Sequence, residues 1–172
     1  EGAGIYFVVR RAIVMPAQLI SGAVAKVAYG DLGRTQDGSL VKRRMRSASK
    51  LTIPSAVFIV GSSYLADVLG LISFLGADWS DASSILVPLS LVAAMQVLQG
   101  PFRHILLATA QHRVLLGLQL VRALIVTIAA VAIWASELDL VTSVWVLSIA
   151  TIVSYIVGMI GSAKAAFSVS AP

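Results

Sequence analysis

The chain has no cysteine, few acids and little charge of either sign. Without cysteine it can form no disulfide framework, no thiolate metal site and no dithiol redox pair. Charged residues make up 12% of its 172 positions, against roughly a quarter in a soluble domain. So few ions cannot cover a water-facing surface. Aromatic residues are 7% of the chain and do not interleave with bases in a stripe, so the net charge of +5 does not read as a nucleic-acid surface. Catalytic signatures are missing too: there is no HExxH, no Walker loop, no pair of intramembrane carboxylates and no Ser-His-Asp set at plausible depth. His104 and His112 lie about two turns apart with no acid nearby, which leaves no metal site. No cofactor is implied, and the chain does not read as an enzyme.

What is present is apolar length. Hydrophobic residues make up 58% of the chain and the mean hydropathy is +0.92. A bilayer core about 30 Å thick takes about 20 helical residues. Five stretches meet that length, at about 4–30, 51–76, 82–110, 115–135 and 140–163. Strands of a membrane barrel would be near ten residues and would alternate polar with apolar, which these do not. The expected fold is therefore an all-α integral membrane protein. Pro54 falls in the first turn of the second stretch, where a missing N–H costs little. Gly100-Pro101 interrupts the third, where a kink is expected rather than an end. Together with Pro16 it supplies the candidate hinges. Small residues at Ser21-Gly22, Gly61-Ser62-Ser63, Gly117 and Gly158 to Ser162 would let helix backbones approach.

The charges outside these stretches alternate in sign from gap to gap. Segment 31–50 carries Arg34, Lys42, Arg43, Arg44, Arg46 and Lys50 against Asp31 and Asp37. The next gap carries Asp78 and Asp81, the third Arg113, the fourth Glu137 and Asp139, and the tail Lys164. Basic loops stay in the cytoplasm, so the basic loop 31–50 is expected inside, Glu1 outside and Pro172 inside. Trp79, Trp134 and Trp145 then fall near outer span ends, where indole favours the headgroup zone. Leu40 to Leu51 fits an amphipathic helix on the inner leaflet, its bases meeting anionic membrane lipids. The chain begins with Glu1 inside an apolar run and shows no cleavable signal, as expected of a fragment.

Charges within the stretches call for a reason, since each costs at least a few kcal/mol in hydrocarbon. Arg10 and Arg11 lie in the outer half, while Arg103 and Arg122 lie toward mid-membrane. One reading is a cationic, water-filled cavity that receives an anion, since guanidinium forks grip phosphate oxygens at any pH. The other is snorkelling to the headgroups, or pairing with groups on further helices. Adjacent residues on a helix point about 100° apart, so only one of Arg10 and Arg11 is expected to face a cavity. Lys26 reads as a snorkelling anchor near the inner face. Asp67 is a candidate for ion coupling, or else a solvated or Arg-paired acid, and His104 a candidate proton relay.

In order along the chain, several motifs resemble one family. Gly4-Ile5-Tyr6, Arg10-Arg11 and Pro16-Ala17-Gln18-Leu19-Ile20 resemble the "G-x-Y…R…P" helix in the second half of bacterial polysaccharide flippases. These belong to the multidrug/oligosaccharidyl-lipid/polysaccharide exporter superfamily. Leu51-Thr52-Ile53-Pro54 and Leu75-Gly76-Ala77-Asp78-Trp79 are similar to the family's early-proline helix and its "LG-x-x-W" end. Leu106 to Arg113 resembles its "LLA-x-G-(R/K)" hairpin, with Ala110 in place of the glycine and the base arriving late. The resemblance covers essentially residues 1–172 and suggests the last five spans of a twelve-span, two-lobed transporter, most of its C-terminal lobe. It implies alternating access and export of an undecaprenyl-diphosphate-linked oligosaccharide across the bacterial inner membrane. It also implies partners: the missing N-terminal lobe, and a polysaccharide polymerase with glycosyltransferases. Arg10, Arg11, Arg103 and Arg122 would then face the anionic headgroup. Rival readings are a multidrug or lipid-precursor exporter of the same superfamily, and a non-transporting scaffold subunit of a polysaccharide assembly complex. An intramembrane transferase would need a large polar loop, and the acidic gaps are only a few residues long.

Overall fold

Five helices follow one another: α1 (Gly2–Tyr29), α2 (Gly38–Val68), α3 (Ser80–Ala108), α4 (His112–Ser136) and α5 (Leu140–Ser168). The computed structural model describes residues 2–29, 38–72, 79–108 and 110–168. Residues 31–37 of the basic loop and the stretch Leu75 to Asp78 lie outside them. All five helices are long and apolar enough to cross a membrane. A spanning helix meets its backbone hydrogen bonds internally, and the hydroxyls within these helices do the same. Ser55 Oγ donates to the Leu51 carbonyl at 2.8 Å, Ser90 to Val87 at 2.7 Å and Thr151 to Leu147 at 2.7 Å.

The second stretch departs from its expected limits at both ends. Its helix starts at Gly38, so residues 38–50 of the expected basic loop are helical and continuous with the span, not a separate helix. Nothing between Leu40 and Leu51 breaks a helix, and seven of its twelve residues are Lys, Arg or Leu, which favour one. The helix ends at Val68, short of the expected Gly76. Gly70 takes φ 63°, and its N–H bonds the Asp67 carbonyl at 3.0 Å, closing the last turn. Hydropathy runs on through Leu71 and Ile72 and does not register that stop.

Consecutive helices run antiparallel. Val9 on α1 packs with Ile85 and Leu89 on α3 and with Val144 on α5, so these three helices start at the same end. Ile72, just past α2, packs against the same cluster, while Ile59 on α2 packs beside Ala17, Ala93 and Val97 further along. α3 is the spine, packed by α1, α2 and α5, and α4 rests mainly on α5. Trp79 packs at the shared starting end, where α4 brings Trp134 and α5 brings Trp145.

Small residues set the closest approaches. A Cβ at Gly100 would collide with Ser21 Oγ, and one at Gly158 with the Gln99 amide. One at Gly161 would lie 2.7 Å from Leu118 Cδ2. Gly22, Gly61 and Gly117, expected to act in the same way, have open space where a Cβ would stand. Glycine lets two backbones meet only where a partner helix lies on that face. α3 runs through Pro88 and Pro101 without a break, both prolines being buried between its neighbours. Each removes one ladder hydrogen bond, and packing on three sides holds the helix together there.

The links are tight. After α3, the Gln111 N–H bonds the Leu106 carbonyl at 2.9 Å and the Ala110 N–H bonds Leu107 at 3.3 Å. This is a Schellman stop with Ala110 at φ 56°, the left-handed position where glycine is usual. Gln111 Nε2 then donates to the Ala165 carbonyl at 3.2 Å, tying the turn to α5. After α4, Glu137 is left-handed at φ 48° and Asp139 caps α5, accepting the Thr142 N–H at 3.1 Å. The Thr142 hydroxyl and amide hold the Asp139 carboxyl below the usual carboxylate range, so it stays charged at a helix N-terminus.

Candidate functional site: a cationic cavity between four helices

A cavity of about 520 Å³ opens between α1, α3, α4 and α5. That is the size of a small-molecule site. Each helix contributes one stripe at helical spacing: Tyr6, Arg10, Val14 and Gln18 from α1, and Leu89, Val92 and Gln96 from α3. α4 adds Gln119, Arg122, Ala123 and Val126, and α5 adds a stripe from Val144 to Tyr155 that includes Ser148 and Thr151. The floor is α3 against α5, and α1 and α4 form the flanks.

Arg10 and Arg122, distant in sequence, share this one cavity. Arg122 is fixed: its Nη2 donates to Tyr155 Oη at 2.9 Å, and its Cζ lies 4.4 Å from the centroid of the same ring. A cation over an aromatic face gains about 0.5–2 kcal/mol, more as water is excluded. Tyr155 is itself buried, so the guanidinium rests on a rigid wall. Arg10 forms no ion pair or hydrogen bond with a described residue, and among the described lining residues Arg10 and Arg122 are the charged ones and none is an acid. The described lining bears a net positive charge, which attracts an anion.

The other expected site residues lie elsewhere. Arg11 turns away from the cavity and its Nε approaches Met15 Sδ at 3.4 Å, as the rotation between neighbours requires. Arg103 is exposed and His104 half-buried on the last turns of α3, past Gly100-Pro101, and neither lines the cavity. Asp67 sits in the last turn of α2 and accepts a hydrogen bond from Ser83 Oγ at 2.7 Å, joining α2 to the first turns of α3. Its partner among the described residues is a neutral hydroxyl, and the carboxylate is partly exposed. Pro16 is exposed on α1, which runs unbroken through it. Gly100 and Pro101 are buried at the contact with Ser21.

Reasoning from sequence missed Gln18, Gln96, Gln119 and Tyr155. Their signal was available as spacing: Gln18 lies eight residues beyond Arg10 and Gln119 three before Arg122, each on its arginine's face. Among the described residues no group of three or more His, Cys, Asp or Glu could hold a metal ion. Compared with protein-family models, characterised proteins and solved structures, the chain matches none of them.

Proposed function

We propose that this chain belongs to a multi-pass transporter of the bacterial inner membrane and forms most of the C-terminal lobe of a polysaccharide flippase. In this reading it moves an undecaprenyl-diphosphate-linked oligosaccharide to the outer leaflet by alternating access. The observation that carries the reading is the shared cavity: Arg10 and Arg122, from separate helices, line one space with neutral polar groups and no acid. Two guanidinium groups within the apolar spans are costly unless they meet an anion or water. A diphosphate headgroup answers the Arg122 charge, and Arg10 adds positive potential further along the same cavity. An acid-free lining also argues against a cationic drug as cargo. The motif order from Gly4 to Arg113 supports the same family.

The basic first turns of α2 and Arg113 in the first turn of α4 would face the cytoplasm, with α1 running from outside to inside. The partners in this reading are the lipid-linked substrate, surrounding lipids, an N-terminal lobe of the same protein, and a polysaccharide polymerase with glycosyltransferases. The chain carries no chemistry of its own and needs no cofactor.

Arg122→Ala tests the reading. Export of the lipid-linked glycan should be abolished while membrane insertion and protein level stay as in wild type. Export at the wild-type rate by the inserted variant would remove Arg122 from the mechanism.

A further inference from the structure

The two ends of the cavity differ in chemistry. The packing register gives the levels. Ala17 lies beside Ala93 and Val97, Ser21 meets Gly100, Gln99 meets Gly158, and Arg122 meets Tyr155. These contacts bring Gln18, Gln96, Arg122 and Tyr155 to about one level, with Gln119 one turn further along. Arg10 lies about 12 Å away along α1, nearer the starting end, among Leu89, Val144 and Leu147. One end is therefore an arginine beside aliphatic side chains and the hydroxyls of Tyr6 and Ser148, with no amide. The other is an arginine among three primary amides from three helices.

None of the amides of Gln18, Gln96 and Gln119 hydrogen-bonds to another described residue. Ordinary helix packing would pair them across helices, because an idle amide inside a span costs free energy. Here they face open space instead. An amide offers a donor pair and an acceptor on one plane, matching neighbouring hydroxyls that each donate and accept. A neutral, hydroxyl-rich group beside an anion meets that set. A quaternary amine or a bare acyl chain does not.

We propose that Gln18, Gln96 and Gln119 form a sugar subsite, binding the hydroxyls of the glycan unit nearest the phosphate, with Arg122 holding the adjoining anionic oxygen. The assignment rests on the transport reading above and names what part of the cargo each side of the cavity recognises. Tyr155 keeps the Arg122 fork turned along the cavity wall, so anion and sugar lie side by side.

The test compares two probes on the intact protein in lipid nanodiscs: undecaprenyl diphosphate and undecaprenyl-diphosphate-N-acetylglucosamine, with retention read by native mass spectrometry. Wild type should retain the glycosylated lipid roughly tenfold better, the gain of one or two well-formed hydrogen bonds. Gln18→Leu/Gln96→Leu, close in volume and suited to a helix, should bind the two probes equally. Its unchanged hold on the sugar-free lipid reports that it is folded. Equal binding by wild type overturns the sugar subsite and leaves the anion cavity standing. A preference that survives in the double variant overturns the assignment to these amides. Binding of neither lipid by wild type overturns the subsite together with the flippase reading.

Discussion

α3 and α4 are neighbours in sequence, similar in length at 29 and 25 residues, and both long and apolar enough to span a membrane. Half of the most apolar window of α3 is buried within the protein, against 6% of that of α4. Hydropathy does not explain the contrast, since the less buried α4 is the more apolar of the two. α3 carries Ala82, Ser90, Ala93, Ala94 and Gly100 on the faces that α1, α2 and α5 approach. α4 sets Leu116, Leu120, Leu124, Ile128 and Val131 on one exposed ridge and buries only Ala129 among its described residues. In a membrane, lipid tails are as apolar as leucine, so burial goes to the helix whose surface lets backbones close in. α4 is held instead at the cavity edge, where Arg122 reaches Tyr155, and at the Gly161–Leu118 contact.

The contrast breaks most sharply at Gly100. Any Cβ there meets Ser21 Oγ, and valine adds two more methyl groups against the backbone of α1. Gly100→Val should destabilise the bundle by about 3 kcal/mol, the upper range for overpacking. The midpoint of unfolding in mixed SDS micelles reads it. Ser21→Gly in the same chain should recover part of the loss. A stable Gly100→Val protein with no coupling to Ser21 would mean that α1 and α3 do not touch there.

Next comes Ile85, fully buried on α3 against Val9, Leu89 and Val144. Ile85→Ala leaves a cavity among them. Soluble cores lose about 2–5 kcal/mol for such a change. Where the unfolded reference is lipid, the transfer part falls away and lost contacts remain, so about 2 kcal/mol is expected. The same unfolding midpoint checks it, and no shift would take α3 out of the centre of the bundle.

The helices themselves were legible from sequence, because length and hydropathy suffice for a span. What lay beyond reach was which face of each helix meets protein. Gly61 and Gly100 look alike as small residues in apolar runs, yet one faces open space and the other touches Ser21. The site was legible by half. Arg10 and Arg122 stood out as charges in hydrocarbon, and the 100° turn between neighbours singled out one of Arg10 and Arg11. Gln18, Gln96 and Gln119 did not stand out, since a neutral amide in a span raises no alarm until its helix is rotated into place. Arg103 raised the same alarm as Arg122 and lies outside the cavity, because depth along a helix says nothing about direction around it.

The junction of the two helices gives a smaller effect of opposite sign. Ala110 holds φ 56° in the Schellman stop between α3 and α4. A left-handed L-residue costs about 1–2 kcal/mol, and glycine escapes that but gives up some freedom in the unfolded chain. Ala110→Gly should therefore stabilise by about 0.5–1 kcal/mol, read as a higher unfolding midpoint. A lower midpoint would mean that the turn is not left-handed there.

The smallest effect is expected on the ridge of α4. Leu124 is 61% exposed and lies midway along that ridge. If lipid covers it, Leu124→Ala trades one apolar surface for another and leaves no cavity, since acyl chains flow in. Alanine is also at least as good a helix former as leucine. The change should stay within about 0.5 kcal/mol, as for a surface site away from special contacts. Measured beside Ile85→Ala in the same micelles, it separates two meanings of apolar. A loss as large as that of Ile85→Ala would place protein, not lipid, against the ridge. The difference between α3 and α4 would then lie in which protein surface covers each helix, rather than in whether one covers it.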